Sequence, residues 1–286
     1  MAGFPLTAWA VRHPLGDDAD RLLDALASPG AAAAPTSEPA AAVAEALFEE
    51  MAPHCARACQ RWGASRVAVI LGSAAPTAPE PLARLSVMLS LARRHTGITG
   101  PAYHVAATGA GGAKALASAE RLLRASLADA VVVGGIDEGQ GALLLLESHG
   151  EAFVRLRSSA EATGSTDAQR LDDAAARRAI DGAWTAARRP PLGYVHTHAA
   201  ATEPLGEAEA EVVRALCGPI PHRATRSALH SVGAAAGAID AVLAAACLAR
   251  GYAPGPTPPE LQHDRVLVHA FSSGGHHVAL LLEARP

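Results

Sequence analysis

Residues 103–113, Tyr-His-Val-Ala-Ala-Thr-Gly-Ala-Gly-Gly-Ala, read as a buried strand, a tight glycine turn and the first turn of an alanine-rich helix. A strand that turns this sharply into a helix presents the turn residue to unpaired backbone N–H groups and to the positive end of the helix dipole. That environment suits a thiolate or an alkoxide. Here the turn residue is Gly109, which has no side chain. The segment also commits the chain to an α/β architecture, because such a strand is buried only if helices cover the faces of its sheet.

Hydrophobic periodicity extends the pattern on both sides. Residues 6–11 read as a strand, and 17–27 as a helix opened by Asp17 and Asp18. Val43, Leu47, Met51, Cys55 and Cys59 recur at helical spacing over 41–62, and 66–71 is a continuous apolar run of the kind buried on both faces of a sheet. A helix over 79–95, the opening strand and turn, a helix over 110–126, a strand over 128–133 and a closely following antiparallel strand over 141–147 complete the first half. The second half repeats this outline: strand 153–156, helix 167–187, strand 193–198, helix 206–216, a short segment 221–226, a long helix 231–250 and paired strands 265–271 and 276–283. The expectation is two similar halves, 1–150 and 151–286, forming one compact unit.

With 286 residues, half of them hydrophobic, the chain can bury a large core. A net charge of −4 and the lack of a dense Lys/Arg block argue against nucleic acid or an anionic membrane as the main partner. Residues 1–15 lack a basic region followed by an apolar run, and no segment reads as a membrane span, so a cytoplasmic location is expected. Cys55 and Cys59 share a helix face without the second ligand pair of a zinc site, and none of the four cysteines stands at a strand-to-helix turn. They read as buried free thiols, and neither cysteine catalysis nor a metal is expected.

Several motifs in order resemble the thiolase-fold β-ketoacyl synthase family, and within it the chain-length factors of type II polyketide synthases, with a looser likeness to the short aryl-polyene forms. They are Gly100-Pro101, Ala110-Gly111-Gly112, the run 130–137 (AVVVGGID), 139–147 against GEGA…LVLE, 198–211 (HAAATEPLGEAEAE) against HGTGTPLGD…EAE, 226–238 (RSALHSVGAAAGA) against KSxxGHLxGAAGA, and 271–275 (FSSGG) against FGFGG. The resemblance implies a thiolase-like α/β fold of two β-α-β-α-β-β halves in a layered α-β-α-β-α sandwich. It places the family's nucleophile at Gly109, its first histidine at His198, its second at Ser231 beside His230, its lysine at Arg226 and its gating phenylalanine at Ser273. Condensation needs a thiolate and donors for the enolate and oxyanion, so a chain with these replacements is expected to be catalytically dead.

The resemblance also implies what such a subunit is kept for. The strand Ala102, Tyr103, His104, Val105, Ala106, Ala107 is then the seam with an active ketosynthase in a heterodimer or a heterotetramer. An acyl carrier protein's phosphopantetheine arm acts through that partner, and this chain needs no cofactor of its own. Leu85, Met88 and Leu91 are candidates for the wall of the acyl tunnel, or plain core residues. Other readings stay open: a thiolase-fold acyltransferase or hydrolase using His198 with a non-cysteine nucleophile, for which Thr108 is the nearest hydroxyl, or a structural homodimer without a client. His196 and His198 lie on one strand face, and His230, His276 and His277 could approach them as a remnant active-site cluster. Glu207, Glu209 and Glu211 read as a solvated helix end.

Overall fold

The computed structural model describes residues 3–28, 30, 32–33, 38–73, 80–167, 169–199, 204–230 and 233–285, with only the backbone described over 80–85. The first half runs β1 (Phe4–Arg12), α1 (Ala19–Ala27), α2 (Ala40–Trp62), β2 (Val67–Ser73), α3 (Glu80–Thr96), β3 (Ala102–Ala106), α4 (Gly111–Arg124), β4 (Ala130–Asp137) and β5 (Gln140–Glu147). The second runs β6 (Val154–Thr163), α5 (Asp173–Ala186), β7 (Tyr194–Thr197), α6 (Pro204–Cys217), β8 (His222–Ala224), α7 (Arg226–Leu229), α8 (Ala236–Arg250), β9 (Arg265–Phe271) and β10 (His276–Ala284).

The strands hydrogen-bond in the order β3-β2-β4-β5-β1-β6-β10-β9-β7-β8. Read outward from the middle, the halves are β1-β5-β4-β2-β3 and β6-β10-β9-β7-β8, the same connectivity twice, as the repeated sequence outline anticipates. Among the described residues, the sheet ladder between them is the short register Phe4↔Leu156, Pro5↔Arg155 and Leu6↔Val154.

Three apolar clusters fill the layers. Val43, Leu47, Phe48 and Met51 of α2 pack with α3 on one outer face, Ala176, Ala179 and Ile180 of α5 pack with α6 on the other, and α4 and α8 lie between the two half-sheets. This is the expected α-β-α-β-α layering. The central helices approach too closely for side chains at their crossing: a Cβ on Gly112 would stand 2.6 Å from the Ala238 backbone nitrogen, and one on Gly237 would stand 2.9 Å from that of Ala113. The stretch 233–250 is long and apolar enough to cross a membrane by length and composition, with mean hydropathy 1.5, yet 83% of it is buried as the core helix of this sandwich.

Among the boundaries that depart from the sequence reading, three have a local reason. The helix expected over 167–187 begins at Asp173, because the Asp172 side chain accepts from Ala175 N at 2.9 Å and caps it. The strand expected over 153–156 continues to Thr163, because β10 pairs along it as far as His276↔Thr163. The helix expected from 231 begins at Ala236, after a 3₁₀ turn Gly233–Ala235 held by Asp137 Oδ2, which accepts from Ala235 N at 2.9 Å.

Candidate functional site

The turn after β3 points at the site. Thr108 has φ 39°, a left-handed conformation that is costly for a β-branched residue, by about 1–3 kcal/mol. The turn so formed aims Gly109 inward: a Cβ there would lie 3.2 Å from His198 Nε2 and 3.1 Å from the Phe271 carbonyl oxygen. The Thr108 hydroxyl is buried without a hydrogen-bond partner among the described residues, so no base activates it.

His198 follows the end of β7, and α6 fixes it there. The Glu209 carboxylate accepts from His198 N at 3.0 Å and from Ala199 N at 2.8 Å, and it accepts from His269 Nδ1 at 2.6 Å. Glu209 is therefore fully buried, which corrects its reading as a solvated residue; its neighbours Glu207 and Glu211 are exposed. Burial alone would raise the Glu209 carboxyl, but the His269 hydrogen bond and the two backbone donors outweigh it and hold the group below its ordinary value.

One nitrogen of the His198 imidazole is committed, and the other is buried without a hydrogen-bond partner among the described residues. Arg226 Nη1 donates to Nε2, and a guanidinium can only donate, so Nε2 is an acceptor and the proton sits on Nδ1. Asp240 Oδ2 faces that nitrogen at 3.8 Å, as a charge rather than a hydrogen-bond partner. Burial lowers the His198 pKa, with Asp240 opposing and Arg226 adding to the effect. Asp240 itself sits in the apolar α8 and accepts from His196 Nε2 at 3.1 Å, while Tyr194 Oη lies 3.4 Å from His196 Nδ1. Burial opposes ionisation of Asp240, and His196 and His198 together hold its carboxyl well below the carboxylate range. The Phe271 ring meets His198 edge-on at 4.8 Å and lies 5.6 Å from the His277 ring, whose Nδ1 is 3.3 Å from His269 Nε2.

The structure thus gathers His196, His198, His269 and His277 around Asp240, Glu209 and Phe271. It leaves out two histidines that the sequence reading allowed to approach: His230 is exposed in a left-handed cap, and His276 lies beside Lys114 Nζ at 3.2 Å. Ser273 is exposed in the β9–β10 turn, and Ser231 lies outside the described residues. Ala102 to Ala106 form β3, which is half-exposed where the sequence reads as a buried strand, because it stands at the edge of the sheet; Ala107 is buried behind it. Met88 is buried against α2 and Leu91 partly so, while the Leu85 side chain lies outside the described residues. Burial pushes the Cys55 and Cys247 thiols up to about 12 and Cys217 to about 11, so none is a ready thiolate. Clefts of about 420 and 650 Å³ lie elsewhere, lined by Trp9, Asp18 and Arg21 in one and by Arg121, Arg124 and Arg157 in the other.

No protein-family model and no curated protein matches the sequence. Solved structures do match the fold. "Ketosynthase (ApeO) in Complex with its Chain Length Factor (ApeC)" from Xenorhabdus doucetiae superposes with TM-score 0.82 at 19% identity, over 99% of this chain and 98% of that one. "The ishigamide ketosynthase/chain length factor" gives TM-score 0.82 at 15% identity over all of both chains. The chain has the thiolase-like ketosynthase fold. A third structure with that fold, a type II polyketide synthase acyl-carrier protein in complex with its ketosynthase bound to the hexaketide, superposes with TM-score 0.83 at 16% identity over all of both chains.

At this turn Gly109 offers no side chain to His198, and His198 Nε2 is taken by Arg226. Sequence reasoning missed His269, Phe271 and Asp240. Asp240 carried a legible signal, being the only charged residue inside the apolar helix 236–249 and therefore in need of a buried partner.

The histidine cluster makes stability depend on pH. Burial, with His269 adding to it, lowers the His277 pKa to about 4. The unfolded chain takes up this proton near 6.5 and the native one only near 4, so stability falls as pH drops through that window, by at most about 3 kcal/mol. His198 acts in the same direction, whereas Asp137, raised to about 6 by burial, opposes part of it. A His277→Phe variant keeps a ring against Phe271 and is expected to flatten the urea midpoint between pH 7.5 and 4.5. An unchanged slope would remove His277 from this account.

Proposed function

We propose that this chain is a non-catalytic, chain-length-factor-like subunit that pairs with an active ketosynthase and shapes its acyl tunnel in type II polyketide or polyene assembly. The observation that carries the reading is the occupied site. Gly109 faces His198 from the nucleophile position of the fold, and Arg226 holds the nitrogen that a working histidine would use. An enzyme using His198 as a base would need that nitrogen free, which disfavours the acyltransferase or hydrolase alternative.

The proposed seam is β3, which lies at the end of the sheet with Tyr103 36% exposed, beside α3 with Val87 47% exposed. Pairing with the partner's equivalent strand would cover an edge that is otherwise an aggregation hazard. The carrier protein's phosphopantetheine arm would act through the partner's site, in the cytoplasm, with no cofactor bound to this chain. α3, carrying Leu85, Met88 and Leu91, is the proposed wall segment.

Co-expression with a ketosynthase encoded beside it tests the reading. The two chains are expected to co-elute at 1:1 and to extend malonyl units together, while this chain alone is inactive. Met88→Trp in the complex is expected to shorten the product. Stable, active purification of this chain alone would overturn the proposal, and unchanged product length would remove Met88 from the wall.

A further inference from the structure

The outer face of the first half carries a group of side chains unrelated to the His198 site. Glu45 and Glu49 stand one turn apart on α2, and His95 lies in the last turn of α3, across the α2–α3 contact. Each can offer one donor atom such that all three lie within 4.8 Å of one another. Glu45 Oε1 is 3.5 Å from His95 Nε2, and Glu49 Oε1 is 4.0 Å from His95 Nδ1. His95 Nε2 is itself buried and makes no hydrogen bond among the described residues.

We propose that Glu45, Glu49 and His95 bind a divalent cation of the zinc class that braces α2 against α3. One imidazole and two carboxylates are a borderline-soft donor set that suits zinc, with a water completing the tetrahedron. Donors in such a site stand about 3.3 Å apart, as metal–ligand lengths near 2.0 Å require. Contraction falls mainly on Glu49, whose side chain is 63% exposed and can rotate, while His95, only 13% exposed, is held by packing. The exposed Glu49 side also gives the ion its way in. Arg94 Nη2 contacts Glu45 Oε1 at 3.0 Å and competes with the ion for that oxygen, but a carboxylate has a second oxygen to offer. The brace would steady α3, which leads through residues 97–101 into the edge strand β3.

The test uses the full chain, stripped with chelator and titrated with ZnCl₂ by calorimetry and with CoCl₂ by visible absorption. One saturable site is expected, with the intense d–d bands of four-coordinate cobalt and a Zn²⁺-dependent rise in Tm. Glu49→Gln, a surface change, and His95→Gln, which keeps a polar side chain at the half-buried position, are each expected to weaken binding about tenfold or more. Arg94→Ala is expected to tighten it several-fold by releasing Glu45. Absence of saturable binding below millimolar Zn²⁺, or affinity indifferent to His95→Gln, would overturn the assignment.

Discussion

A Gly109→Cys variant is expected to gain a reactive thiol and no condensing activity. The new Cβ would stand 3.2 Å from His198 Nε2, closer than most real contacts, so the ring and the turn must give by a few tenths of an ångström; no backbone atom lies nearer than the Phe271 carbonyl oxygen at 3.1 Å. The thiol would sit at the start of α4 and beside the Arg226 guanidinium, two influences that favour a thiolate, and iodoacetamide is expected to label it at a rate limited by the burial of residue 109. Decarboxylation of malonyl-carrier protein asks for more. It needs donors aimed at the developing enolate, and His198 Nε2 accepts from Arg226 instead of donating. Removing one oxyanion donor typically costs about 10²–10³ in rate, and groups acting as a unit lose far more, so carbon dioxide release should stay about 10⁴-fold or more below that of a working ketosynthase. Carbon dioxide released by Gly109→Cys alone at a ketosynthase's rate would mean that Arg226 does not block the histidine.

The parts of the site that were legible in the sequence are those tied to local pattern. Gly109 follows a strand and precedes a helix, and both flanks carry their own period, so its place at an inward-facing turn could be read from neighbouring residues. The duplicated halves could be read similarly, because each strand and helix announces itself separately. Glu209 shows what local pattern misses. Glu207 and Glu211 share an exposed helical face, while the helical period turns Glu209 to the opposite, buried face, where β7 and β9 bring His198 N, Ala199 N and His269 Nδ1 to it; the pattern of the helix does not name those partners. The spacing 198–209–269 in sequence contains no sign of that meeting. Arg226 likewise reads only as the replacement of a lysine, and its contact with Nε2, which holds the histidine, is not visible in the sequence.

A His104→Pro variant is expected to leave this chain folded and abolish its pairing with a ketosynthase. Val69 N donates to Pro101 O at 2.8 Å and Ala107 N donates to Ser73 O at 3.2 Å, so in the parallel β2–β3 ladder residues 101, 103, 105 and 107 turn their backbone groups toward β2. By the two-residue period of a strand, Ala102, His104 and Ala106 turn theirs outward. Proline at 104 therefore deletes an outward N–H and places a ring on the outer edge, while every ladder bond to β2 is kept. The isolated chain should melt within a few degrees of the original. The complex should weaken about 100-fold or more, because an antiparallel partner strand loses a central hydrogen bond and meets the ring. Tyr103→Pro makes the contrast, since it removes a donor that faces β2 and should destabilise the chain itself. Stoichiometric co-elution of His104→Pro with the ketosynthase would show that the seam lies on another face, and would leave the blocked His198 site without the partner proposed for it.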